Sequence, residues 1–178
     1  VELAELKGKM GDAAAERHAY EQAIAADPMN EAAASALLQP YLAEGRYAEA
    51  EPLCGVVIAA AERDKDGYRL YTARRAQAAV GFALYKPDLA LTAALAAFEA
   101  RREEDDARND LVRAASDMRA DPEVLKARDA LNAIADKSDG LTVESKVALG
   151  EVLALIGEND RAAALFDDAL VEKPDNER

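Results

Sequence analysis

Tryptophan is absent from this chain, and one cysteine and one histidine are all that its 178 residues offer as sulfur or imidazole ligands. A single cysteine, Cys54, excludes an internal disulfide framework. It falls on an apolar stripe and reads as a small buried hydrophobe. His18 has no second histidine or cysteine with which to hold a metal, and no partner for a nucleophile relay. It lies on a polar stretch and is expected at the surface. Aromatic residues are few, six Tyr and three Phe, and no stretch alternates apolar with polar residues for long enough to suggest a sheet. No segment approaches the roughly 20 apolar residues of a membrane span, which argues against direct membrane insertion. Gly-rich phosphate loops and dinucleotide fingerprints are missing too.

Cations are also in deficit. Lys and Arg number 22 against 35 Asp and Glu, a formal net charge of −13. No basic face is available to neutralise phosphates, so nucleic acid and anionic membrane surfaces are poor partners. The excess acid keeps the surface solvated, and in its sharper reading favours a basic partner. Asp64-x-Asp66-Gly67 and Asp136-x-Ser138-Asp139-Gly140 have the opening of a calcium loop without the ligand spacing through to a closing Glu. Acid pairs such as Asp105/Asp106 are too common in such a chain to signal catalysis. The expectation is a protein with no catalytic residues, no metal and no cofactor.

What is present in quantity is alanine, within a hydrophobic fraction of 51%. Alanine favours helix, and the length suffices for one ordinary domain or a short repeat array, so the expected class is all-α. The stretch from Val143 to Pro174 shows the pattern most sharply. Val147, Leu149, Leu153 and Ile156 fall mostly on one helical face; Ala162, Leu165, Phe166, Ala169 and Leu170 form a second apolar stripe. Gly157 can close the first helix in the left-handed region, Asn159 or Asp160 can cap the next, and Pro174 stops it.

In that stretch Lys146-x2-Leu149-Gly150-x2-Leu153, Gly157, Ala162-x3-Phe166, Ala169 and Pro174 resemble a tetratricopeptide repeat. Lys146 stands where the family often has Trp, and Leu153 where it often has Tyr. The resemblance implies a right-handed α-solenoid of antiparallel helix pairs, with Gly150 and Ala162 at close helix approaches and Phe166 and Leu170 between one repeat and its neighbour.

Looser copies precede it. Leu3 and Leu6 lie in a first helix over Val1–Lys9, Gly11-Asp12 turns the chain, and a second helix runs to Asp27-Pro28 with Ala19, Tyr20, Ala23 and Ile24 inward. Glu16 stands where a small residue belongs. Asn30 caps a helix carrying Ala34, Leu37, Leu38 and Tyr41; Gly45-Arg46 turns; Ala50, Cys54 and Val57 follow, on a helix expected to reach about Arg63. Tyr20 to Cys54 spans 34 residues, the family's own period. A long helix over Tyr68–Leu84 turns at Tyr85–Asp88 into one over Leu89–Arg102, with Pro87 in its first turn and Ala90, Ala94, Ala97 and Phe98 inward. The charge run Arg101–Asp106 is a solvated junction. A fourth pair, Asp106–Arg119 and Pro122–Ala135, offers Leu111, Val112, Ala115, Met118, Val124, Ala127, Leu131 and Ile134 to the core.

The expected organisation is one domain over 1–178, in approximate units 1–30, 31–66, 67–104, 105–139 and 140–178. Neither end carries a capping helix, so we expect a window of a longer repeat protein. The resemblance implies that the first helices of successive units line a groove for an extended or helical segment of another protein. The residues mapped to it are Glu5 and Lys9; Ser35, Gln39 and Leu42; Thr72, Arg75, Ala79 and Phe82; Arg108, Val112 and Ser116; Glu144, Val147 and Glu151. Of these, Gln39, Arg75, Phe82, Arg108, Val112 and Glu151 are the leading partner-binding candidates. Arg75 and Arg108 can clamp a carboxylate, and Phe82 can offer an apolar contact. Members that grip chaperone C-termini place Lys and Asn where this chain has Glu5, Lys9, Ser35 and Gln39, which sets that subclass aside. The expected function is a non-catalytic scaffold, cytoplasmic or periplasmic. The alternatives are an arm of a larger bacterial secretion, polysaccharide-export or motility machine, and a structural array that self-associates through uncapped ends.

Overall fold

The computed structural model describes residues 1–101, 104–117, 132, 135–136 and 141–172. Among them there is helix and no strand, so the all-α expectation holds. The helices are α1 (Glu2–Lys9), α2 (Ala13–Ala26), α3 (Glu31–Ala43), α4 (Tyr47–Asp64), α5 (Gly67–Ala83), α6 (Pro87–Ala100), α7 (Asp105–Asp117), α8 (Val143–Leu155) and α9 (Asn159–Glu172).

One backbone device recurs at their junctions. Gly11, Gly45, Tyr85 and Gly157 take positive φ, at 77°, 73°, 54° and 89°. The next residue's N–H then donates back five residues, Asp12 to Lys7, Arg46 to Tyr41, Lys86 to Gly81 and Glu158 to Leu153, at 2.8 to 3.1 Å. This is the six-to-one bond that satisfies an orphan carbonyl at a helix end. The following helix starts at once. Lys65, at φ 55°, closes α4 in the same way, with Asp66 N–H donating to the Ala61 carbonyl at 3.0 Å. Side-chain caps begin other helices: Asp12 accepts from Ala15 N–H, Asn30 from Ala33 and Asp66 from Arg69. Pro87 sits in the first turn of α6 as expected.

The chain gathers into two compact units, Val1–Ala76 and Gln77–Arg178, the division falling inside α5. In the first, α1 packs on α2, α2 on α3 and α3 on α4. Ala33, Ala34, Leu37, Leu38 and Tyr41 of α3 are buried, as are Ala50, Leu53, Cys54 and Val57 of α4. Burial pushes the Cys54 thiol up to about 11. In the second unit α6 packs on α7, α7 on α8 and α8 on α9. Phe98, Leu91, Leu111, Leu149, Val152 and Leu153 are its largest sealed side chains, with Ala90, Ala94 and Ala97 also buried.

Several inward assignments are corrected. In α1, for which the sequence assigns no inward face, Ala4 is buried and Leu3 and Leu6 are each 55% exposed. In α2 only Ala19 is fully buried; Tyr20, Ala23 and Ile24 are half-covered. Glu16, expected to crowd its helix pair, fits because Gly8 faces it: a Cβ on Gly8 would lie 2.5 Å from the Glu16 carboxylate. Phe166 packs on Gly150 of the adjacent helix, a Cβ there falling 2.5 Å from its ring, and Leu170 is 44% exposed instead of sealed. The helices α4 and α5, 18 and 17 residues long, exceed the flanking α3 and α6, of 13 and 14. Pro174, Met118, Val124, Ala127, Leu131 and Ile134 lie outside the described residues.

Gly81 meets α6 at backbone: a Cβ would lie 2.6 Å from Ala90 N and 2.8 Å from its Cα. Main chain cannot rotate aside as a side chain can. Gly81→Ala should therefore cost about 1–3 kcal/mol through overpacking, whereas Gly55→Ala, with nothing within 4 Å of the added Cβ, should gain about 0.5–1 kcal/mol from helix propensity. Urea midpoints of the two variants moving in opposite directions would check this.

Candidate functional site

In the second unit α7, α8 and α9 enclose a recess of about 600 Å³. Its position follows from local sequence. Thr142 caps α8 by accepting from Ser145 N–H at 3.2 Å. One turn in, Lys146 is buried and its ammonium meets Glu172, the last residue of α9, at 2.5 Å. Gly150 lets Phe166 approach, and the ring becomes one wall of the recess. Glu144, Val147, Ala148 and Glu151 form a stripe at i, i+3, i+4 and i+7 on α8; Phe166, Ala169 and Leu170 repeat that spacing on α9. Arg108 and Asn109 of α7 complete the lining.

Four of the mapped residues therefore meet: Arg108, Glu144, Val147 and Glu151. Val112, on the same helix as Arg108, is half-buried and is not part of the lining. Phe82, expected to offer an apolar contact, is half-buried, with the Arg113 guanidinium 4.2 Å from its ring centroid. Phe166 and Leu170, expected between one repeat and its neighbour, line the recess, and the i, i+4 spacing that they share with the stripe on α8 is the signal for it in the sequence.

In the first unit Gln39 is exposed on α3 and Arg75 is half-buried, its guanidinium 5.8 Å from the Tyr71 ring centroid. Ser35 is already engaged, accepting from Arg69 at 2.8 Å, and Arg69 also binds Glu31. A second recess, of about 740 Å³, lies between α2 and α3, with Arg17, His18, Tyr20, Glu21, Leu37 and Pro40 in its wall. Pro40 has no N–H to give the Ala36 carbonyl, and Ala36 also faces this space. The sequence reading did not anticipate it. The His18 side chain is 70% exposed and 4.0 Å from the nearest Glu21 oxygen, so it is the surface residue expected.

Beside this recess an ionic network ties α2 to the junction of α3 and α4. Glu21 accepts from Arg46 and from the Tyr41 hydroxyl, both at 3.2 Å, and from Arg17 at 3.4 Å. Arg17 also pairs with Glu44, and Arg46 with Glu49. The Tyr41 ring carries Arg46 at 3.9 Å and Arg17 at 5.5 Å from its centroid. Desolvation pushes the Glu21 carboxyl up, and hydrogen bonds from Arg46, Tyr41 and Arg17 outweigh it, leaving the group below its usual range. The Arg17 bond lowers Glu44 likewise. Of the calcium-like segments, Asp64 pairs with Arg63, Asp66 caps α5, and Asp136 pairs with Arg161; residues 138–140 lie outside the described set. No cluster of three or more metal-ligating side chains occurs among the described residues, and no described helix is long and apolar enough to cross a membrane.

No family model, curated protein or solved structure matches the chain.

Depressed carboxyl values mean that the unfolded chain binds more protons than the native one as pH falls, so stability is present above the unfolded carboxyl range and is lost as pH drops through the native one. Thermal midpoints should decline as the buffer is taken from pH 5.5 to pH 3, these being about one unit either side of the ordinary Glu value. The decline should be shallower in Glu21→Gln/Glu44→Gln, as followed by far-ultraviolet circular dichroism.

Proposed function

We propose that this chain is a non-catalytic adaptor, built as a tetratricopeptide-like right-handed solenoid of antiparallel helix pairs, that holds a segment of another protein. Support for the architecture comes from the recurring left-handed closure. Gly11 and Gly45 lie 34 residues apart, Gly45 and Tyr85 lie 40 apart, and Tyr85 and Gly157 lie 72 apart, room for two units of about 36. The observation that carries the functional reading is the recess on α7, α8 and α9, where Arg108, Glu144, Val147 and Glu151 meet beside Phe166. An apolar floor with a few charged groups on its rim suits a peptide side chain better than it suits bond-making chemistry.

A pull-down with the chain, beside a twin carrying Arg75→Glu and Arg108→Glu, tests this. A protein retained by the first and lost by the second, with equal helicity in both, is the expected result. Identical retention by both would remove the two arginines from any partner surface.

Exposed apolar side chains favour a second reading, self-association. Leu3, Leu6 and Met10 of α1 and its junction, and Leu170 and Val171 of α9, lie between 44% and 81% exposed, where a partner copy would gain from covering them. On this reading the scattering radius grows with protein concentration, and Leu6→Lys with Val171→Lys holds it constant.

A further inference from the structure

The recess on α7, α8 and α9 has a charge character that narrows what it takes. By sequence these helices carry four, two and four carboxylates, ten in all, against four cationic side chains, Arg108, Arg113, Lys146 and Arg161. Lys146 is buried against Glu172, Arg161 is 2.5 Å from Asp136, and Arg113 lies over Phe82. Among the described residues of the lining Arg108 is the cation, and the stripe on α8 in the same wall has Glu144 at one end and Glu151 at the other. Both of these glutamates are exposed.

Between the glutamates are Val147 and Ala148; across from them are Phe166, Ala169 and the half-exposed Leu170. The pattern is an apolar trough two helical turns long with acid at each end. A helix laid against it presents residues at i, i+3, i+4 and i+7. Its apolar stripe would enter the trough, and the residues flanking that stripe would meet Glu144 and Glu151. Cations at those flanks are attracted, while acids face both glutamates and the field of a chain at −13.

We propose that this recess docks a cationic amphipathic helix from a partner protein, Leu or a similar aliphatic residue filling the trough and Lys or Arg flanking it. The proposal rests on the adaptor reading and specifies its partner by chemistry.

The test uses the full chain and two fluorescein-labelled synthetic helices of about 16 residues, one of Leu and Lys at amphipathic spacing, the other with every Lys replaced by Glu. Anisotropy should rise with the Leu/Lys peptide and stay flat with its Leu/Glu twin. Binding should weaken by roughly tenfold in Glu144→Lys/Glu151→Lys, weaken in Leu170→Ser, and fall as salt is raised, with the helicity of both variants unchanged. If the Leu/Glu twin binds as well and Leu170→Ser weakens both, the trough is a peptide site of the other or of no charge preference; the cationic assignment is overturned and the adaptor reading survives. If Leu/Lys binding is indifferent to Glu144, Glu151 and Leu170, the site lies elsewhere on the acidic surface and the inference is overturned. Should neither peptide bind, the inference falls, and the adaptor reading then depends on the Arg75/Arg108 pull-down alone.

Discussion

A backbone hydrogen bond that reaches back five residues, made while the residue before it sits in the left-handed region, is the constraint on which the helix junctions depend. At Asp12, Arg46, Lys86 and Glu158 this bond ends one helix and places the first residue of the next within a step of it. With no slack in the connection, consecutive helices are committed to packing on each other, and their apolar stripes must agree in phase. Alanine then does most of the filling, because a short turn brings helix axes close and leaves room for little else. Gly81 against the Ala90 main chain and Gly150 against Phe166 are the extreme cases of the same closeness.

An alanine-rich interior buries little area per residue, and the ends of the helix pairs are fastened by charge. Glu21, Arg17, Arg46 and Glu44 join α2 to the α3–α4 junction; Glu31, Arg63 and Arg69 join the start of α3 to the far end of α4 and the start of α5. In the second unit Lys146 and Glu172 do the same for α8 and α9. Individually, exposed pairs contribute little; shared among several groups with a stacked tyrosine, they fix the register of one helix end against another.

The helices were legible from periodicity, and three of the four closures between paired helices were legible from glycine. Tyr85 and Lys65 were not, because nothing in a Tyr or a Lys announces positive φ; only the tightness of the connection imposes it. Phe98 and Leu111 read correctly as core since each stands in phase with neighbours on its helix. Leu170 did not, for periodicity says which residues share a face and is silent on whether that face is covered. Of the recess, Arg108, Glu144, Val147 and Glu151 are residues that the family resemblance maps to first helices, whereas Phe166 and Leu170 stand on a second helix, where the same resemblance puts packing between repeats. The network around Tyr41 was invisible to a one-dimensional reading, since the bonds that join α2 to the α3–α4 junction span 20 to 27 residues.

Cys54 is sealed inside the first unit, and its thiol is held protonated well beyond neutral pH. Since only the thiolate reacts readily, the sole sulfhydryl of this chain is a silent one. A cysteine placed on any exposed helix face becomes the single reactive handle of the molecule, so dyes or spin labels can be set at chosen positions, and the spacing of the two compact units measured in solution, without first removing a native side chain from the core.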